Sequence, residues 1–226
     1  MVIFARQHPG ESVGSWMMEG LMKKLFTSDP TVSWILVPML NVDGVKIGNN
    51  RTSLLGYDLN RCWDIEENPL IQHLFPELMG VIKYFRQEKK RKENGVKMFI
   101  DLHGHSSEPN VFSYGPPHIP ESIHYTYSRL FPYLISLNSK AFNLQQCSYE
   151  LPLNKRNCAR SFFFNKLGFP YSYTIESSFG IYNNKKINEN DILQVGEEIC
   201  TSIIKFVKKK KKKTNSKQLQ KNIKDM

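Results

Sequence analysis

The chain has 226 residues, 40% of them hydrophobic and 23% charged, which are ordinary proportions for a soluble protein and enough length for one domain with a full core. No apolar run approaches the ~20 residues of a membrane span and no signal peptide opens the chain, so a membrane protein is not expected. The formal charge of +10 is concentrated at one end: residues 208–226 hold nine lysines and one acid, and the remainder holds 22 basic and 20 acidic residues.

In chain order, the apolar run 1–5 reads as a buried strand that breaks into a Pro9-Gly10 turn. Residues 12–26 read as a helix, with Val13, Trp16, Met17, Gly20, Leu21 and Leu25 on a core-facing stripe; Asp29-Pro30 ends it. A strand follows over 32–40 and closes at N-V-D-G, a turn signal. Residues 46–63 form a polar loop long enough to carry function. A helix over 76–92 leads through an Asn94-Gly95 turn into a strand over 96–102. A short strand at 110–114 precedes a helix over 119–138, in which Pro132 predicts a kink or break. A strand at 171–176 ends in a carboxylate, and an amphipathic helix over 189–207 carries Ile192, Val195, Ile199, Ile203 and Val207 on one face.

Strands alternating with helices predict an α/β fold, a mixed and largely parallel central sheet with helices on both faces. Two units are expected: 1–207 as the folded domain and 208–226 as a lysine-rich disordered tail, solvated, with nuclear import or polyanion binding as further readings. Cys62, Cys147, Cys158 and Cys200 lie far apart with no C-x-x-C pair. They read as free thiols of a reducing compartment, which predicts a cytoplasmic location.

Candidate functional residues gather at the predicted strand ends, where open α/β sheets bind ligands. His8 and Glu11, three apart across the first turn, can face one cation. His103, at the end of the 96–102 strand, is the candidate third ligand, and three such donors with one open position point to catalytic zinc. The loop R-T-S-L-L-G-Y-D-L-N-R at 51–61 supplies four more groups. Asn60 and Arg61 suit bidentate grip of a carboxylate. Arg51 could stabilise an oxyanion, and Asp58 could accept from the free nitrogen of a ligand histidine. Glu176 ends a Tyr-Ile strand, where a carboxylate is costly unless paired or functional. His105 reads as a loop residue or a partner behind a ligand, and His73, His118 and His124 as surface residues.

H-P-G-E at 8–11, N-V-D-G at 41–44, N-N-R at 49–51, D-L-N-R at 58–61, D-L-H-G-H at 101–105 and T-I-E-S-S at 174–178 occur in one order. In that order the chain, from residue 1 to about 207, resembles the zinc metallocarboxypeptidases. The H-P-G-E and D-L-H-G-H forms resemble the cytosolic carboxypeptidase subfamily, enzymes that shorten glutamate chains on tubulin. The resemblance implies Zn2+ held by His8, Glu11 and His103, with Asp58 behind His8. It implies Arg51 at the scissile carbonyl, Asn60 and Arg61 on the terminal carboxylate, and Glu176 as the general base. Arg160, in N-C-A-R-S-F, would meet the side chain of a terminal Glu or Asp; capping of the Phe162–164 cluster is its other reading. The implied partners are acidic, polyglutamylated protein C-termini or side chains, tubulin among them, with no specific nucleic acid and no membrane. The resemblance also implies an upstream strand and a small β-sandwich domain before this stretch. The tyrosine that covers substrate in secreted members has no convincing match, Tyr149 being the nearest.

Two alternatives stay open on the sequence. Acylases of the aspartoacylase type share H-x-x-E, a distant His and a glutamate base, and act on small N-acyl amino acids. A non-catalytic polyanion or microtubule binder could keep the fold and use the lysine tail.

Overall fold

The computed structural model describes residues 1–28, 32–65, 72–90 and 97–224, without the side chains of 89–90 and 211–224. The expected Asp29-Pro30 and Asn94-Gly95 breaks lie outside the described residues. Five strands form the main sheet in the order β2-β1-β3-β5-β4. They are β1 (Val2–Ala5), β2 (Ile35–Val37), β3 (Met98–His105), β4 (Val111–Tyr114) and β5 (Tyr171–Ser178). Strands β2, β1, β3 and β5 run parallel, and β4 pairs antiparallel with β5. The helices are α1 (Ser12–Phe26), α2 (Val42–Ile47), α3 (Pro76–Lys90), α4 (Ile123–Asn138), α5 (Ala159–Asn165) and α6 (Glu189–Lys224).

The period-two alternation of β1 divides the core. Ile3 and Ala5 face a cluster with Met17 and Leu21 of α1, Phe131 of α4 and Ile199 of α6. Val2 and Phe4 face a second cluster with Leu78 and Ile82 of α3 and Phe163 of α5. Strand β3 does the same, with Met98, Ile100 and Leu102 in the first cluster and Phe99 in the second. Helices therefore cover both faces, as expected. Because alternate residues share a face, Asp101 and His103 lie on the α3/α5 side with Phe99, and Thr174 and Glu176 lie opposite Tyr173 and Ile175.

Four expectations need correction. The strand expected over 32–40 is only three residues long, since Pro38 has no N–H for the ladder of an edge strand. N-V-D-G starts helix α2 rather than a bare turn: the Asn41 side chain accepts from Gly44 N as a cap. Pro132 lies inside an unbroken α4. The carbonyl it cannot bond, that of Ser128, accepts instead from the Tyr173 hydroxyl at 2.8 Å. Finally, α6 does not end at Val207, and the backbone stays helical through the lysine run to Lys224. Lysine is a good helix former, and the packed turns of Ile199, Ile203 and Phe206 supply the nucleus. Lys210 ties the start of this extension to β5, donating to the Tyr171 hydroxyl at 2.5 Å.

Candidate metal and catalytic site

The site is built where β1 stops. Arg6 adopts a left-handed backbone conformation, φ 58°, which costs a non-glycine residue roughly 1–2 kcal/mol. Its guanidinium secures the turn, donating from Nε to the Pro9 carbonyl at 2.9 Å and from Nη1 to Ser15 Oγ at 2.9 Å. Gly10 donates its N–H to the Asn50 carbonyl at 2.6 Å. A Cβ at Gly10 would lie 2.8 Å from that oxygen, so only glycine lets the turn approach the loop that carries Arg51. The turn leaves His8 buried and makes Glu11 the residue that leads into α1.

His103, near the carboxyl end of β3, completes a three-residue cluster. Its Nδ1 lies 2.8 Å from Glu11 Oε2 and 3.2 Å from His8 Nδ1, while His8 Nδ1 lies 2.7 Å from Glu11 Oε1. One ligand atom from each of the three residues falls within 4.8 Å of the other two. The outward nitrogens are held by carboxylates: His8 Nε2 meets Asp58 Oδ1 at 3.1 Å and His103 Nε2 meets Asp101 Oδ2 at 2.7 Å. A carboxylate only accepts, so each Nε2 donates to the carboxylate behind it, and each Nδ1 faces the Glu11 carboxylate, the side on which a ring deprotonated there would offer its lone pair to a metal. Two imidazole nitrogens and one carboxylate, each braced from behind, match the donor set of catalytic zinc.

Electrostatics agree with that geometry. Burial alone would raise Glu11, but His103 and His8 outweigh it and hold the carboxyl well below the usual range. The same holds for Asp58, where His8, Arg51 and Arg61 overcome burial. Burial opposes the charge on His103, yet Asp101 and Glu11 keep its ring well above the ordinary histidine value.

A cavity of about 240 Å³ opens on this cluster and is lined also by Arg51, Asn60, Arg61, Arg160 and Glu176. Glu176 is shifted in the opposite direction to Glu11. Burial pushes its carboxyl up to about 7, with Glu11 and Asp101 adding to the rise against the pull of His103 and His8. Arg51 directs Nε and Nη2 at Asp58 Oδ2, at 2.9 and 2.8 Å. Asn60 accepts from Ala159 N at 2.9 Å, and its Nδ2 lies 3.4 Å from His103 Nε2. Arg61 folds back on the Asn60 carbonyl at 2.8 Å. Arg160 is only 3% exposed. It donates to the Gly115 and Glu150 carbonyls, and burial lowers its pKa.

A sequence profile of the zinc carboxypeptidase family matches residues 1–202. The chain belongs to the zinc carboxypeptidase family. Cytosolic carboxypeptidase 1 of Mus musculus is 32% identical over 89% of this chain, and cytosolic carboxypeptidase 2 of Danio rerio is 34% identical over 91%. The crystal structure of a metallo-carboxypeptidase from Burkholderia cenocepacia superposes with a TM-score of 0.73 and 27% identity over 92% of the chain. The chain spans 18% and 29% of those two relatives and 56% of that structure. Family membership favours the carboxypeptidase over the acylase alternative.

In this family member the sequence-predicted residues all reach one place: His8, Glu11 and His103 at the centre, Asp58 behind His8, and Arg51, Asn60, Arg61, Arg160 and Glu176 on the wall. His105 also lines the wall, with its Nδ1 accepting from Glu108 N at 3.0 Å. Tyr149 packs over Gly115 and the Arg129 guanidinium instead. His118 and His124 stack on each other, away from the site, and bond Pro170 O and the Tyr171 hydroxyl. Sequence reading missed Asp101, which braces His103, and the chain behind it: Gln7 donates to Asp101 and accepts from Trp63 Nε1 at 2.9 Å. The signal was present, since D-x-H on a strand puts both side chains on one face. Cys158, Tyr114 and Lys155 also line the cavity and were not anticipated there.

Proposed function

We propose that this chain is the catalytic part of a zinc-dependent metallocarboxypeptidase that removes acidic residues, glutamate above all, from protein C-termini or side-chain glutamate branches. Residues 1–207 would form the catalytic unit. Cytoplasmic proteins with polyglutamylated tails, tubulin among them, are the substrates this reading favours. The observation that carries it is the convergence of a His8–Glu11–His103 donor set, the raised carboxyl of Glu176 and the buried cation of Arg160 on one cavity.

A zinc ion held by His8, Glu11 and His103 would supply Lewis acidity and a positive field for the oxyanion that develops. Glu176, with a carboxyl near neutrality, is suited to take a proton from the attacking water and deliver it to the leaving amine. Arg61 and the Asn60 amide face the cavity where a terminal carboxylate would end. Arg51 has both Nε and Nη2 on Asp58, which leaves Nη1 to turn toward a substrate carbonyl. Arg160 makes no ion pair among the described residues, its donors resting on backbone carbonyls. A buried guanidinium without a carboxylate partner favours a ligand that brings one.

The test is incubation with a synthetic peptide ending in several glutamates, followed by mass spectrometry. Stepwise loss of glutamate is expected with zinc and none after chelation. Substituting Arg160 by glutamine should slow release of glutamate more than release of a neutral residue. Equal slowing of both would remove Arg160 from the specificity pocket.

A further inference from the structure

Four cations line the cavity, and three of them are held by the protein. Arg51 is on Asp58, Arg61 on the Asn60 carbonyl, and Arg160 on two backbone carbonyls. Lys155 is the exception. Its ammonium lies 4.8 Å from the centre of the Tyr114 ring, and among the described residues it makes no ion pair.

Lys155 is nonetheless well fixed. It ends a single 3-10 turn, Leu153–Lys155, with its N–H on the Pro152 carbonyl at 2.9 Å. The same Tyr114 ring carries the Arg160 guanidinium 5.9 Å from its centre. Two like charges gathered about one ring repel each other, and the arrangement becomes favourable when an anion enters between or beside them. Arg160 is buried and Lys155 is half-buried, so the pair leads from the interior of the cavity outward.

We infer that Lys155 is a further specificity residue, which receives the side-chain carboxylate of the penultimate residue of an acidic substrate. This rests on the carboxypeptidase reading above. With the terminal carboxylate at Asn60 and Arg61 and the terminal side chain at Arg160, the next negative group along the chain has Lys155 as its open partner. The cavity is then suited to consecutive acidic residues rather than to one acidic end.

Two peptides alike except for their ends, Glu-Glu and Ala-Glu, test this on the full 226-residue chain with zinc. Equilibrium binding is measured on the Glu176→Gln protein, where no turnover is needed, and hydrolysis on the Glu176 protein. The Glu-Glu peptide should bind more tightly. Lys155→Ala should reduce that preference about fivefold and Lys155→Arg should restore it, as expected of a half-exposed ion pair. The preference should shrink in high salt. In hydrolysis the loss should fall on KM more than on kcat. If Lys155→Ala lowers both peptides equally or leaves the ratio unchanged, the inference is overturned. A failure of hydrolysis alone, with the binding ratio as expected, would strike the catalytic reading and not Lys155.

Discussion

His103 and Glu176 are register partners on adjacent parallel strands, β3 and β5. Partners in a sheet project to the same face, so one pairing sets a metal-type ligand beside a carboxyl that burial raises to about 7. A slip of one residue would turn Glu176 into the apolar cluster of Tyr173 and Ile175. The alignment is secured along eight residue pairs, Met98–Tyr171 through His105–Ser178.

Replacing Glu176 by glutamine keeps the shape and removes the base. The expected result is a fall in kcat of roughly 10²–10⁴, with zinc content unchanged by metal analysis. Retention of near-full activity would assign proton transfer to another group.

Asp101 is fully buried and bonds His103 Nε2 at 2.7 Å. Asp101→Asn would weaken the orientation of the ring and its basicity. Zinc affinity, read by chelator competition, should fall about 10–100-fold, while Asp58→Asn should act in the same direction through His8. A zinc affinity unmoved by Asp101→Asn would mean that the buried contact is only structural.

The pH dependence follows from the zinc-free protein. Glu176 has its folded carboxyl raised from 4.5 to about 7, and His103 lies above its ordinary 6.5. For both groups the folded state binds the proton more tightly than the unfolded state, so their contribution to stability is present in acid and lost as pH rises. Glu11 and Asp58, held low, act in the opposite sense, but only below their ordinary values of 4.5 and 3.8. Between about pH 5 and 7 these two groups should therefore lower the stability of the zinc-free protein as pH rises, opposed above pH 6 by the Met1 ammonium, which burial lowers from 8.0 to about 6. Zinc competes with the proton on His103, so the rise in Tm that zinc produces should widen over the same interval. A zinc-induced shift that stays constant or narrows across it would contradict this account.

Much of this was legible because the signals are local. The alternation of β1 and the 3–4 spacing of α1 follow directly from burial, and the ligands sit at strand ends where the apolar pattern stops. What stayed hidden depends on partners far along the chain. Pro132 reads as a break because the Tyr173 hydroxyl that serves the Ser128 carbonyl is 45 residues away. Asp101 passes for a strand residue until His103 and Gln7 are seen around it, and the separation of Lys155 from Tyr114 hides their contact in the same way. The extent of α6 is hidden for another reason. A lysine run carries no apolar period, yet its intrinsic helix preference lets an established helix continue.

The contact between α1 and α6 provides a stability test independent of the site. At Gly20 an added Cβ would sit 1.9 Å from the Leu193 carbonyl oxygen, and at Gly196 it would sit 2.0 Å from that of Met17. Both obstacles are backbone atoms of the facing helix, so relief requires the helices to separate and their shared apolar face to open. Gly20→Ala and Gly196→Ala should each cost about 1–3 kcal/mol or more, although alanine is the better helix former. Gly80, exposed on α3, has nothing within 4 Å of such an atom. There the same substitution should stabilise by roughly 0.5–1 kcal/mol through helix propensity alone. Denaturant unfolding of the three variants reads out opposite signs if backbone contact holds α1 against α6, and a common sign for all three would show that it does not.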